Sequence, residues 1–79
     1  MLSDPPPDWV TRRLRLFGER VRAQREALDV SQDELGEMSG LGGTRIDEVE
    51  HGADDTNLDD LLLIAHALDV PPAELVADD

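Results

Sequence analysis

Asp55-x-Asn57-x-Asp59 puts three oxygen-bearing side chains at alternate positions, the opening spacing of a calcium-binding loop. Ligating a hard cation that way also needs Gly at the sixth position, for the sharp turn, and a bidentate Glu at the twelfth. Those places hold Asp60 and His66, so the motif fails and helix capping accounts better for the run. His51 and His66 have no metal-ligand spacing between them. His51 reads as the last residue of a helix, where a partly protonated imidazole suits the helix dipole. Ser31, Ser39 and Thr44 have no His or Lys set beside them as a base, and the chain has no Cys to act as thiolate nucleophile or metal ligand. The expectation is a chain that is not an enzyme, with no metal, no cofactor and no small-molecule ligand.

The remaining chemistry is recognition. Residues 39–53, SGLGGTRIDEVEHGA, have the layout of a short helix between turn residues, where a small DNA-binding domain carries its reading helix. Its surface is unusual for that task. Gly42 and Gly43 offer no side chain to a base edge, and Arg45 stands against Asp47, Glu48 and Glu50. Among the usual pairings, a carboxylate can accept only from cytosine N4.

Seventy-nine residues are enough for one domain with one core. Residues 1–28 hold six Arg against four acids, a net of +2, whereas residues 29–79 hold fifteen acids against Arg45, a net of −14. Nucleic-acid binders usually carry the opposite balance. The cationic residues are all Arg, which hints at a GC-rich bacterial genome. The start, MLSDPPPDW, lacks the basic and apolar regions of a signal peptide. The longest apolar run is too short to span a membrane. A cytoplasmic chain with no membrane partner is expected.

These side chains need helices to position them. Residues 1–8 read as a Pro-rich lead-in and 9–79 as a single domain, with Asp8 as N-cap of helix one. Val10, Leu14, Phe17, Val21, Gln24 and Leu28 recur at helical steps, so helix one spans about 9–28. Ser31-Gln32-Asp33-Glu34 is a capping box that opens helix two, which runs to Ser39 with Leu35 and Met38 apolar. Thr44-Arg45-Ile46-Asp47 looks like a second cap, which would delay helix three by a residue or two; Ile46 and Val49 face inward and Gly52 ends it. Helix four opens at Thr56 or Asn57 with Leu58, Leu61, Leu62, Ala65 and Leu68 as its apolar face. Helix five covers 73–77 and buries Leu75 and Val76. The whole is an all-α five-helix bundle with no strand pattern.

Phe17-Gly18-Glu19-Arg20-Val21, Ser31-Gln32-Asp33-Glu34-Leu35, Ile46, Val49-Glu50-His51-Gly52 and Leu61-Leu62 through Val70 resemble the Cro/C1-type (xenobiotic-response-element) helix-turn-helix repressors. The resemblance covers residues 17–76 and implies a lambda-repressor-like bundle, here with an extended first helix. It implies a bacterial or phage transcriptional regulator that inserts helix three into the major groove of double-stranded DNA. The candidate contacts it carries over are Gln32 on a phosphate and Gly43, Thr44, Arg45, Asp47 and Glu48 near the bases. It also implies an internal ion pair between Arg25 and Glu50.

The chain departs from that pattern where Gly36 replaces an Ala, Ser39 an apolar residue and Gln24 an apolar residue; Met38 or Leu28 is expected to refill the volume. Ala53-Asp54-Asp55 replaces the basic loop that usually meets phosphate. A carboxylate about 4 Å from a phosphate costs ~1 kcal/mol in water-like surroundings and several times more near a protein surface. Asp47, Glu48, Asp54 and Asp55 therefore oppose tight DNA binding. This motivates an alternative function, a protein-binding module on the same fold whose acidic face meets a basic partner. Asp59, Asp60, Asp78 and Asp79 read as a solvated face. Trp9, Val10 and Leu14 precede the family's usual start; Trp9 is expected to fold back on residues 70–76, with a self-association (homodimer) or partner patch as the other reading.

Overall fold

The computed structural model describes residues 7–77. Most of the Pro-rich lead-in and the acids Asp78 and Asp79 lie outside the described residues. Those residues form five helices and no strand: α1 Asp8–Ala27, α2 Gln32–Ser39, α3 Gly43–Glu50, α4 Leu58–Leu68 and α5 Pro72–Val76. α1 lies against α3, α4 and α5, while α2 packs on α3 and α4. The core they share is Phe17, Val21, Leu35, Ile46, Val49, Ile64, Ala65, Leu68 and Leu75.

Several boundaries differ from the sequence reading. Pro7, not Asp8, caps α1: Val10 and Thr11 donate to the Pro7 carbonyl, and no side chain caps the helix. Proline has no N–H to lose at a helix start, so Asp8 enters the first turn instead. α2 opens with the expected box, in which Glu34 N donates to Ser31 Oγ (3.0 Å) and Ser31 N to Glu34 Oε1 (2.9 Å). Thr44 does not cap α3, which begins at Gly43 behind Gly42 with no side-chain cap. Gly42 has φ +88°, a conformation open to residues without a Cβ, and this lets the turn close one residue sooner.

Gly36 explains how the turn fits. A Cβ there would collide with the backbone of Gly42 and Gly43, so the backbones of α2 and the α3 start touch where a side chain would otherwise stand. Met38 and Leu28, both 50% exposed, do not refill that volume. Ser39 is buried because its hydroxyl serves the turn, donating to the Gly36 carbonyl (3.4 Å) and accepting from Leu41 N (3.3 Å).

The apolar face of α4 is rotated from the expected one. Ile64, Ala65 and Leu68 are buried with Leu61 packed beside them, whereas Leu58 and Leu62 face outward. Leu61, Ile64, Ala65 and Leu68 follow the i, i+3, i+4, i+7 stripe; Leu58 stands a turn ahead of the core. In α5 only Leu75 is buried, and Val76 remains 46% exposed. Successive helical residues diverge by about 100°, and here Leu75 takes the inward position while Val76 lines the outer groove with Trp9 and Leu58. Leu28 follows the end of α1 as its C-cap, outside the shared core.

Candidate nucleic-acid interface

α2, the turn and α3 form a helix-turn-helix. Burial of Ile46 and Val49 fixes the rotation of α3 about its axis. Thr44, Asp47 and Glu48 therefore lie on its exposed side. Gly43 is half-buried, with the Asp33 side chain lying over it from α2. A carboxylate suits the N-terminus of a helix, but it adds one more negative charge to the surface that would meet DNA.

Arg45 is the one basic residue of the two helices, and it turns inward. Its Nη2 donates to Asp60 Oδ2 at 2.6 Å and to the Asp55 carbonyl at 3.2 Å. Its Nη1 donates to Asp55 Oδ1 at 2.9 Å and to Glu48 Oε1 at 3.3 Å. The side chain is only 18% exposed. Hydrogen bonds to Asp60 first and Asp55 second raise the guanidinium's pKa above its ordinary value, although burial opposes them. Asp60 is thus not on a solvated face. It is 4% exposed, and its Oδ2 also accepts from Asn57 N (3.1 Å) as the return half of a capping box that opens α4. The third residue of a helix points its side chain back over the helix start. Here that places the Asp60 carboxylate beneath α3.

Arg25 and Glu50 meet across α1 and α3. Arg25 Nε lies 2.7 Å from Glu50 Oε2, and Nη2 donates to Oε1 at 3.1 Å, a two-pronged pairing. The Glu50 side chain is 3% exposed and that of Arg25 12%. The bond to Glu50 raises the Arg25 pKa above its ordinary value against desolvation. Arg25 Nη1 also donates to the Val30 carbonyl, tying in the α1–α2 link. Gln32 joins this group: its Nε2 donates to Glu50 Oε1 (3.1 Å) and Asp47 Oδ1 (3.2 Å). The amide hydrogens expected to meet a phosphate point toward carboxylates instead. His51 follows α3, with Nδ1 2.8 Å from the Asp47 carbonyl and 3.4 Å from its carboxylate.

The candidate residues therefore form two groups. Gln32, Gly43, Thr44, Asp47 and Glu48 share one surface, and Arg45 folds back from it onto the 53–57 loop and the start of α4. Trp9, Val10 and Leu14 lie elsewhere, along an open groove of about 420 Å³ shared with Leu58, Leu61 and Val76. Trp9 reaches the rim beside Val76 but stays 60% exposed. It does not complete a core, because it stands about 100° from Val10 around α1 and so off the inward stripe. In the would-be calcium loop, Asp55 binds Arg45 and Asn57 caps α4. Among the described residues no group of three or more His, Cys, Asp or Glu is placed to hold a metal ion. No helix among them is long and apolar enough to cross a membrane.

Asp55 and Asp60 were missed as partners of Arg45. Asn57-x-x-Asp60 is a readable capping signal of the same kind as Ser31-x-x-Glu34, and it fixes where Asp60 stands. Nothing in the linear spacing shows that Arg45 bends back to it.

Fold and site together define a small helix-turn-helix domain. The helix-turn-helix family profile matches residues 21–75, and the chain belongs to that family. It is 35% identical over 65 residues to the repressor protein C2 of Salmonella phage P22, a match covering 82% of this chain and 30% of that repressor. Among solved structures, the restriction-modification controller protein C.AhdI of Aeromonas hydrophila superposes with a TM-score of 0.74 at 40% identity, covering 78% of this chain and 94% of that one. The P22 c2 repressor in complex with a synthetic operator gives a TM-score of 0.72 at 35% identity, covering 80% and 96%. A hypothetical transcription factor from Neisseria gives 0.78 at 26% identity, covering 96% and 86%.

Proposed function

We propose that this chain is a DNA-binding transcriptional regulator that sets α3 into the major groove of duplex DNA. The observation that carries this is the fixed outward presentation of Thr44, Asp47 and Glu48 on the second helix of a helix-turn-helix. A repressor relative seen with its operator supports the reading over a protein-binding module on the same fold. The role is binding rather than catalysis, exercised in a bacterial cytoplasm where the DNA is.

The acids shape what kind of binding this is. Asp47 and Glu48 select for cytosine N4 and penalise every other contact. Arg45 acts as scaffold, since its donors are held by Asp55, Asp60 and Glu48. Affinity for unrelated duplexes is consequently low. The double change Asp47→Ser, Glu48→Arg tests this by fluorescence anisotropy on random duplexes. It should raise affinity and steepen the salt dependence by about one to two phosphate contacts. If both quantities stay unchanged, α3 is not the surface that meets DNA.

A further inference from the structure

The domain has seven Arg residues, and the structure assigns most of them to internal partners. Arg25 binds Glu50, Arg45 binds Asp60 and Asp55, Arg22 pairs with Glu26 along α1, and Arg20 donates to the Glu74 carbonyl of α5. Arg13 is also engaged. Arg12 and Arg15 are exposed, and among the described residues neither makes a hydrogen bond or an ion pair. Asp8 precedes Arg12 by four positions and Glu19 follows Arg15 by four, yet neither acid closes on its neighbour.

Their place in the fold is specific. The stem of Arg15 lies against Gly52, directly after α3: a Cβ on Gly52 would stand 3.0 Å from Arg15 Cγ. Arg12 is one helical turn earlier on the adjoining face of α1. Arg15 therefore stands beside the exit of α3, where the loop Ala53-Asp54-Asp55 begins, with Arg12 a turn further along α1. A major groove is about 12 Å wide, so a helix inside it has phosphate walls within reach of whatever flanks that helix. On this flank the loop offers carboxylates, whereas Arg12 and Arg15 offer uncommitted donors.

We infer that Arg12 and Arg15 form a phosphate-binding edge that grips the DNA backbone beside α3. The inference rests on the proposed entry of α3 into the major groove. It moves the cationic contact from the helix-turn-helix to the extended first helix, most of which precedes the residues matched by the family profile. A guanidinium presents paired N–H groups to phosphate oxygens and stays charged at any working pH. Arg12 and Arg15 would supply affinity without sequence preference, leaving choice of base to Asp47 and Glu48.

The test compares the wild-type chain with Arg12→Gln/Arg15→Gln and with Arg20→Gln, by anisotropy on several duplexes across a salt series from low ionic strength. Each lost phosphate contact lowers the slope of log K against log salt by about 0.9. The double variant should therefore lose about two units of slope, by similar amounts on every sequence. Arg20→Gln removes a charge on the α5 side of α1 and should change the slope far less. Arg12→Lys/Arg15→Lys should retain most of it, which separates lost charge from lost structure, and circular dichroism checks the folding of each variant. A slope unchanged in the Gln double variant overturns the inference while leaving the DNA reading intact. Equal losses per charge in Arg20→Gln also overturn it, because overall charge would then be the cause. A wild-type chain that binds no duplex even at low salt overturns the DNA reading and the inference with it.

Discussion

Arg45 makes four hydrogen bonds, one to Glu48 on α3 itself and three to Asp55 and Asp60 on the loop and helix that follow. This makes it a bolt between α3, the 53–57 loop and α4. Removing it would leave Asp60 buried with only the Asn57 amide for company. Arg45→Ala is expected to cost about 2–3 kcal/mol, the usual range for hydrogen bonds to charged groups, measured by urea denaturation. A loss below about 0.5 kcal/mol would show that the loop stands without it. Glu50→Ala is a harsher change, since it strands Arg25 at a site where both side chains are nearly enclosed. The expected loss is roughly 3–5 kcal/mol, by the same measurement. The Arg25–Glu50 pair was legible only through the family resemblance. Of the Arg45 cluster only the Asn57–Asp60 capping box was legible, because the turn of Arg45 away from the groove depends on a partner fifteen residues away.

At the scale of elements, the α2–α3 junction depends on an absence of atoms. Ala at position 36 would favour the helix by ~1 kcal/mol, but its methyl group would meet the Gly42 and Gly43 backbone. Gly36→Ala should therefore destabilise the fold by about 1–3 kcal/mol net, seen as a lower Tm by circular dichroism. A stabilised variant would mean that α2 and α3 can separate freely. Helix number and order were readable from periodicity and capping boxes, which are local. The rotation of α4 and the outward turn of Met38, Leu28 and Val76 were not. Those depend on which flank of an apolar stripe its neighbours cover, and in a bundle of short helices no single wheel decides that.

For the whole molecule, the net charge of −12 on 79 residues sets the conditions under which it works. Self-repulsion between like charges opposes compactness, and it is screened as the Debye length falls from about 30 Å at 0.01 M salt to about 8 Å at 0.15 M. Tm should rise over that interval, as followed by differential scanning calorimetry. A fall would place the balance with the internal ion pairs instead. Screening acts in the opposite direction on duplex binding, which weakens with salt. Stability and DNA affinity are therefore expected to respond to ionic strength with opposite signs.

The exposed position of Trp9 has an optical consequence. The chain has one Trp and no Tyr, so nearly all of its near-ultraviolet emission comes from a single indole at the mouth of the apolar groove. That indole is in contact with water and should emit at long wavelength, with ready quenching by iodide. A second molecule seated in the groove would shift the band to the blue and shield it, while a duplex lying along α3 would alter it far less. The unlabelled protein thus carries its own reporter, able to distinguish occupation of the groove from occupation of the helix-turn-helix in one cuvette.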